Sequence, residues 1–399
     1  MPKKSLANLT DLAGKKVVIR VDFNVPQDKD GTITNDRRIR GALPTIQYVL
    51  EKGGSAILIS HLGRPTGDAE ADKPFRMDRV ATRLGELLGK PVQKSDEVVG
   101  PISAEKVAAL KPGEVLLLEN VRFHPDEQNK KHDGTFAKTL ASYGDVYVND
   151  AFGTCHRKDV SMLALPEAMK GKPRVVGFLV AKELDILANL LGTPKRPMVG
   201  LLGGGKVSDK IGFIKAMLAR VDQVLVGGAM TYTFLKAQGI EIGSSRCEAD
   251  KLDLARELLE LGKGKIVLPV DHLIADKVAA DATTEVSDGQ VPAGKFGLDI
   301  GPKTIQLYSD IIAKAGTVVW NGPMGKFEDE PFAKGTKSIG EAMAANQNAV
   351  TVVGGGETAE AVEQFGLDSQ MTHVSTGGGA FLEYVEGTPF AALDQIDDQ

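Results

Sequence analysis

The sequence predicts an α/β chain folded as two doubly wound domains with mostly parallel sheets. Three observations carry that expectation. Short runs rich in β-branched residues recur along the 399 residues, each followed by a helical pattern. The runs are almost continuously apolar, as parallel strands covered on both faces must be. The series is interrupted once, by KELDILANLLGTPKRP (182–197), and then begins again.

In the first series the runs are KVVIRVDFN (16–24), SAILISH (55–61), VLLLEN (115–120), DVYVND (145–150) and RVVGFL (174–179). In the second they are PMVGLLGG (197–204), QVLVGG (223–228), KIVLPVD (265–271), TVVWNG (317–322), AVTVVGGG (349–356) and THVST (372–376). Between the two, Leu184, Leu187, Leu190 and Leu191 make a helical stripe that a glycine and two prolines end. The expected division is a domain over 1–180, a connecting helix and hinge over 181–197, and a second domain over 198–384.

Composition narrows the function. With 42% hydrophobic and 25% charged residues the chain has ample material for packed cores. A net charge of −5 speaks against nucleic acid as a partner, because such proteins carry a basic stripe. No apolar run approaches the ~18 residues of a membrane span, and MPKKSLANLT lacks the apolar core of a secretory signal. Two cysteines, Cys155 and Cys247, make no disulfide framework, so a reducing cytoplasm is expected. No exposed heptad or spare strand argues for more than a monomer.

Arginine and glycine are unevenly spread. Ten of the 15 arginines precede residue 160 and none follows Arg256, whereas 31 of the 45 glycines lie beyond residue 170. Guanidinium forks grip phosphates and carboxylates, and glycine lets backbone amides approach a phosphate. The two halves are therefore expected to hold anions by different means. Ligands of open parallel sheets bind beyond the strands' carboxyl ends. Those ends carry Asp22, Asn24, His61, Arg64, Arg122, Asn149 and Asp150 in the first half. In the second they carry Gly203 to Gly205, Gly227, Gly228, Asp271, Asn321 to Gly325, Gly354 to Gly356 and Gly377 to Gly379.

GLLGGGKVSDKIG (200–212) nearly spells a P-loop, but Val207 stands where the magnesium-binding hydroxyl belongs. A helix beginning near Lys206 would put Lys206 and Lys210 on one face, where like charges repel by a few tenths of a kcal/mol unless an anion lies between them. Amides at that helix start would add to the site. A solvated lysine pair after a tight turn is the plain alternative. In VVGGGETAEAV, Gly354, Gly356 and Ala359 satisfy G-x-G-x-x-A, but the next strand ends in STGGG and not in an acid, so a nicotinamide cofactor is not expected. What remains is a glycine cradle for nucleotide phosphates, with Glu357 a candidate magnesium carboxylate and Thr358 a hydroxyl donor. Gly377 to Gly379 open a helix, which serves either anion contact or close packing. WNGPMGKFE (320–328) is a turn that also suits ribose and phosphate contact.

Five arginine-bearing stretches lie at strand ends or helix starts: RVDFNVP, NDRRIRGALP, SHLGRP, ENVRFHP and GTCHRKD. A cleft collecting Arg38, Arg64, Arg122, Arg157 and His61 would bind a highly anionic small substrate. The six histidines have no zinc-site spacing and no G-x-S-x-G elbow appears. Positioning and charge without a nucleophile is the profile of phosphoryl transfer.

RVDFNVP, SHLGRP, LLENVRFHP, VNDAFGT, GGGKVSDKI, DIGP, WNGPMGKFE and VSTGGGA together resemble the signature segments of the phosphoglycerate kinase family, in order along essentially the whole chain. The resemblance implies two Rossmann-like domains with a hinge that closes, acid sugar on the first and nucleotide on the second, and a tail (about 385–399) returning to the first. It implies reversible, magnesium-dependent transfer between 1,3-bisphosphoglycerate and ADP, giving 3-phosphoglycerate and ATP, in glycolysis. It places Asp22, Phe23, Asn24, Arg38, His61, Leu62, Gly63, Arg64, Arg122 and Arg157 on the phosphoglycerate. Lys206, Lys210, Gly297, Asn321, Glu328 and Gly354 to Thr358, including Gly355, fall to the nucleotide, with Glu357 toward magnesium. Arg38, Lys206, Gly378 and Gly379 face the transferring group.

Four departures accompany the resemblance. Glu357 replaces the family's aspartate, and Cys155-His156-Arg157-Lys158-Asp159 replaces Ala-His-Arg-Ala-His. GGGK replaces GGAK, and the ending TPFAALDQIDDQ is unusually acidic. A different acyl-phosphate kinase and a catalytically silent nucleotide-binding protein are the alternative readings.

Overall fold

The runs read as strands, joined by a short sixth strand at Val92–Lys94 that the sequence reading did not include, form two six-stranded parallel sheets in a computed structural model that describes residues 3–399. One compact unit comprises the chain up to Asp185 together with Pro389–Gln399, and the other comprises Ile186–Thr388.

The first unit runs β1 (Lys16–Val21), α1 (Arg37–Glu51), β2 (Ser55–Ile59), α2 (Asp78–Leu88), β3 (Val92–Lys94), α3 (Pro101–Ala109), β4 (Val115–Leu117), α4 (Thr135–Ser142), β5 (Val146–Asp150), α5 (Ala164–Ala168), β6 (Arg174–Val176) and the start of α6 (Phe178–Leu191). Its strand order is β3-β4-β2-β1-β5-β6. Every residue of β2 and β5 is buried, because helices cover both faces of the sheet, and this explains the unbroken apolar runs. The order reverses at β1, which pairs with β2 on one side and β5 on the other. That reversal opens a crevice beyond Val21 and Asp150. The tail joins this unit: Lys4 N donates to Asp397 O at 2.8 Å, Arg174 Nη2 meets Asp397 at 2.7 Å and Lys3 meets Asp398 at 2.8 Å. The acidic ending thus supplies partners for two cations.

The second unit takes up the end of α6 and continues β7 (Met198–Leu202), α7 (Ile211–Leu218), β8 (Gln223–Val226), α8 (Met230–Ala237), α9 (Leu252–Leu261), β9 (Ile266–Val267), β10 (Asp271–Ala275), β11 (Thr284–Asp288), β12 (Phe296–Ile300), α10 (Pro302–Ile312), β13 (Thr317–Asn321), α11 (Lys334–Ala345), β14 (Val350–Gly354), α12 (Gly356–Gln364), β15 (His373–Val374) and α13 (Gly379–Glu386). A last turn, α14 (Ala391–Asp394), belongs to the first unit. The parallel order is β15-β14-β13-β7-β8-β9, with its reversal at β7. Val199, Leu201, Val318, Trp320, Ile339 and Val353 centre its core.

Besides the unread β3, whose VQK is too short and polar to make an apolar run, the structure departs from the sequence expectation in three places. KIVLPVD is not one strand: Pro269, which has no amide to donate, separates β9 from β10. From β10 the chain builds an unforeseen antiparallel sheet, β11-β10-β12. Its outer strand TEVSD is half exposed and mostly polar, so it gives no apolar run to read. The third departure concerns the lysine loop. The helix after β7 begins at Ile211, not near Lys206, so the two lysines do not share a helical face.

Tyr308, fully buried on α10, directs its hydroxyl at Val226 O (2.7 Å) and Val267 O (2.9 Å), tying the ends of β8 and β9. Tyr308→Phe removes the one proton these two carbonyls share and is expected to cost about 1–3 kcal/mol. Denaturant unfolding followed by Trp320 fluorescence checks this, since Trp320 is the one tryptophan and is buried in the same core.

Candidate active site

Arg20 introduces a charge among the apolar, buried residues of β1 and is wholly buried. Its Nε donates to Ser161 Oγ at 2.8 Å and its Nη2 lies 3.3 Å from His61 Nδ1. His61 follows β2 and is itself 3% exposed. Beside it, Asp22 leaves the end of β1 and accepts from Arg38 Nη1 at 2.7 Å, the arginine being in the first turn of α1. Burial alone would raise the Asp22 carboxyl, but Arg38, His61 and Arg20 around it and the Asn24 amide hold it below the usual carboxylate range. Burial pushes His61 down to about 3 against the pull of Asp22, with Arg20, Arg122 and Arg157 pressing the same way. The imidazole is therefore neutral at physiological pH.

The loops after β1, β2 and β4 are bound to one another. Phe23 N donates to Ser60 Oγ (2.8 Å), Gly63 N to Asn24 Oδ1 (2.8 Å), and Leu62 N to Asn120 Oδ1 (3.2 Å). Arg122 Nη1 donates to Gly63 O at 2.7 Å. Gly63 has φ +61°, and a Cβ there would lie 2.3 Å from the Phe75 ring, so only glycine fits. Arg64, the next residue, is exposed.

The remaining guanidinium atoms mark what the cluster lacks. Arg122 Nε and Nη2 and Arg157 Nε are buried without a hydrogen-bond partner. Burial, with the neighbouring Arg157 charge next, lowers Arg122. Asp159, where the resembled family has histidine, comes only to 3.9 Å of Arg122 Nη2. An unsatisfied buried donor costs about 1–3 kcal/mol, more when charged. An anion seated here would satisfy several at once. Cys155, another departure, is buried against Asn149 and Ala151, and burial pushes its thiol up to about 12, so it is inert.

In the second unit, backbone replaces guanidinium. Gly203 N donates to Asn321 O (3.0 Å) and Gly204 N to Pro323 O (3.1 Å), so the loops after β7 and β13 touch main chain to main chain. A Cβ on Gly203 would sit 2.0 Å from Pro323 O. Lys210 turns inward, donating to Gly203 O (2.8 Å) and Asn321 O (3.3 Å). Burial lowers its ammonium to about 8, against the upward pull of Glu357 and Asp209. Lys206 points out and is exposed. The amides of Val207 and Ser208 and the Ser208 hydroxyl all bond to the Glu248 carboxylate, so they do not add to an anion site here. A Cβ on Gly205, where the resembled family has alanine, would come to 3.2 Å of Arg246 Nη1.

Asn321 Nδ2 donates to Gly354 O (2.9 Å) and Thr358 Oγ1 accepts from Gly322 N (2.6 Å), joining the loops after β13 and β14. Asn321 Oδ1 is buried and unpartnered. Gly355 takes φ +92°, and α12 starts at Gly356 with Glu357 exposed in its first turn. Around Gly378 and Gly379, at the start of α13, a Cβ would meet nothing within 4 Å. Glu328 is exposed beyond β13. Gly297 lies in β12, with its amide on Ser245 Oγ (2.9 Å) and Tyr232 Oη 2.0 Å from where a Cβ would be, and the next residue, Leu298, accepts from Lys326 N of the loop after β13 at 2.9 Å. Of the other strand-end carboxylates, Asp150 caps α6 through Leu179 N (3.0 Å) and Asp271 caps α10 through Thr304 N (2.8 Å), which are structural duties.

Glu248 escaped the sequence reading, and Arg20, the arginine of RVDFNVP, was not among the residues assigned to the cleft. Arg20 had a signal, since a charge inside a buried strand must be answered by a polar network. Glu248 had none, because its partners lie in a distant loop.

Known proteins place these geometries in context. The family model for phosphoglycerate kinase matches residues 6–388. A phosphoglycerate kinase of Rhodopirellula baltica is 51% identical over 401 residues, covering all of both chains. The solved structure of phosphoglycerate kinase from Coxiella burnetii shares 40% identity with a TM-score of 0.85, and that from Pyrococcus horikoshii 32% with 0.86. Each covers 99% of this chain and 98% of its own. With sequence likeness and fold likeness both spanning the chain, it belongs to the phosphoglycerate kinase family.

Proposed function

We propose that this phosphoglycerate kinase divides its ligands between its two units, 3-phosphoglycerate or 1,3-bisphosphoglycerate on the arginine cluster of the first and ADP or ATP on the glycine loops of the second. Its reaction is the reversible transfer of a phosphoryl group between 1,3-bisphosphoglycerate and ADP, giving 3-phosphoglycerate and ATP in glycolysis. The observation that carries the division is the set of buried, unanswered donors on Arg122 and Arg157. Their planar forks suit phosphate and carboxylate, the two anionic groups of phosphoglycerate.

Arg38 spends one of its five donors on Asp22 and keeps the rest for the transferring group. Charge spreads over the phosphoryl oxygens as it passes in line, and fixed cations and amides stabilise that charge without reorganising. Arg38, Lys206 and the amides of Gly378 and Gly379 fill this role. Neither direction calls for a general base, because the carboxylate and the ADP oxygen are already ionised. Phe23, Asn24, Leu62 and Gly63 shape the floor beneath the acid sugar, with Asp22, His61 and Arg64 at its polar groups. Lys210, Asn321, Glu328, Gly297 and Gly354 to Thr358 serve the nucleotide.

Magnesium fits one place. Among the described residues no three carboxylate, histidine or cysteine groups converge on a metal site. A nucleotide-borne Mg²⁺ needs only one or two carboxylates besides phosphates and water. Glu357, exposed in the first turn of α12 and electrostatically coupled to Lys210, is such a carboxylate. The ion would offset phosphate charge. We read the chain as a cytoplasmic monomer: both cysteines are free thiols, and one chain supplies every group invoked.

Arg38→Ala is expected to lower kcat by roughly 10³-fold, by analogy with arginine fingers, while ADP affinity is unchanged. A coupled assay checks it, and a variant keeping a tenth of wild-type kcat contradicts the role. A polyphosphate beside Lys210 favours its charged form, raising a pKa that burial holds near 8. Nucleotide binding at pH 8.5 is therefore expected to take up protons, and Lys210→Met to abolish the uptake. Calorimetry in buffers of different ionisation enthalpy measures this, and uptake that persists in the variant contradicts it.

A further inference from the structure

Beneath Asp22 and His61 runs a line of buried contacts that phosphoryl transfer does not itself use. Glu127 is 1% exposed. One carboxylate oxygen accepts from Ser161 N at 2.9 Å and the other from Ser161 Oγ at 2.5 Å. A hydroxyl has one proton, so Ser161 Oγ, having given it to Glu127, can only accept from Arg20 Nε. That anchor aims the other arms of Arg20, Nη1 at Val21 O and Nη2 at His61 Nδ1.

Two neighbours then compete for the His61 ring. Asp22 Oδ1, 3.9 Å from Nδ1, favours a proton on that nitrogen. Arg20 Nη2, closer at 3.3 Å, only donates and so requires Nδ1 to accept. With Arg20 held, the proton of the neutral ring sits on Nε2.

We propose that Glu127 is a positioning residue of the acid-sugar site: through Ser161 and Arg20 it fixes His61 in its Nε2–H tautomer, so that the ring offers the bound anion a donor. This rests on the reading that phosphoglycerate occupies the arginine cluster. Without the Glu127 carboxylate the Ser161 hydroxyl is free to turn its proton toward Arg20, the guanidinium loses its anchor, and Asp22 draws the His61 proton to Nδ1. The ring then turns a lone pair toward an anionic guest.

Nitrogen-15 NMR of the full chain with ring-labelled histidine reads the tautomer directly, with His61 assigned by the signal missing from His61→Gln. The measurement belongs at pH 8, above the value of about 7 to which burial, opposed by Arg20 and Ser161, pushes Glu127. The expected result is Nε2–H in the wild type and a shift toward Nδ1–H in Glu127→Gln and Ser161→Ala. The KM for 3-phosphoglycerate should rise roughly tenfold in both while the KM for Mg-ATP holds, the loss of one hydrogen bond to a charged group. A wild-type ring already in the Nδ1–H form overturns the proposal without any variant. So does an unchanged tautomer in both variants when 3-phosphoglycerate still moves the wild-type His61 signals. If 3-phosphoglycerate leaves those signals unmoved, the site reading itself fails and the proposal falls with it.

Discussion

Uncompensated positive charge, buried where two loops leave a parallel sheet, is the constraint around which the first unit is built. Arg20, Arg38, Arg122 and Arg157 gather about a neutral imidazole, answered by Asp22, by Asp159 at 3.9 Å and by a Glu127 that burial raises to about 7. Burying a charge without a matched partner is costly. Everything around the cluster limits that cost: Ser161 seats Arg20, the Gly63 carbonyl seats Arg122 and Asp22 seats Arg38. The donors still unanswered point to an anion as the missing partner. On the function proposed above, the substrate removes that deficit.

The second unit meets the same demand differently. Main chain stands there where side chains are absent, as the nucleotide phosphates proposed for it would need, and the loops after β7, β13 and β14 lock together at van der Waals limits that only glycine permits. Lys210 is drawn into this backbone lattice, where burial lowers its ammonium to about 8, while Lys206 stays outside it. The two lysines read from one motif thus have separate environments, one buried among carbonyls and one exposed. Both units place their groups where strand order reverses, at β1 and at β7, because only there do adjacent strands send their loops to opposite sides and open a crevice.

Much of this was legible in the sequence, for physical reasons. Strands buried on both faces announce themselves as apolar runs, and polar or glycine residues at their ends stand out against them. Asp22, His61, Arg122, Asn321 and Gly354 were found that way. What the sequence hid involves partners remote along the chain. Glu248 takes the amides of Val207 and Ser208, which moves the helix start to Ile211, and nothing near the lysine loop signals it. Glu127 and Ser161 look like ordinary loop residues until the fold sets them beneath Arg20. The antiparallel sheet was invisible because its outer strand TEVSD is mostly polar and none of its residues is fully buried.

The central claim is that the buried cations of the first unit await an anion, and ligand-linked thermal stability tests it most directly. Wild-type protein should gain Tm steadily as 3-phosphoglycerate is added, since a ligand bound only to the folded state stabilises it by mass action. Arg122→Met, which removes two unanswered donors together with the bond to Gly63 O, should lose that gain. A variant that melts earlier alone and yet keeps the full ligand-induced rise would contradict the account.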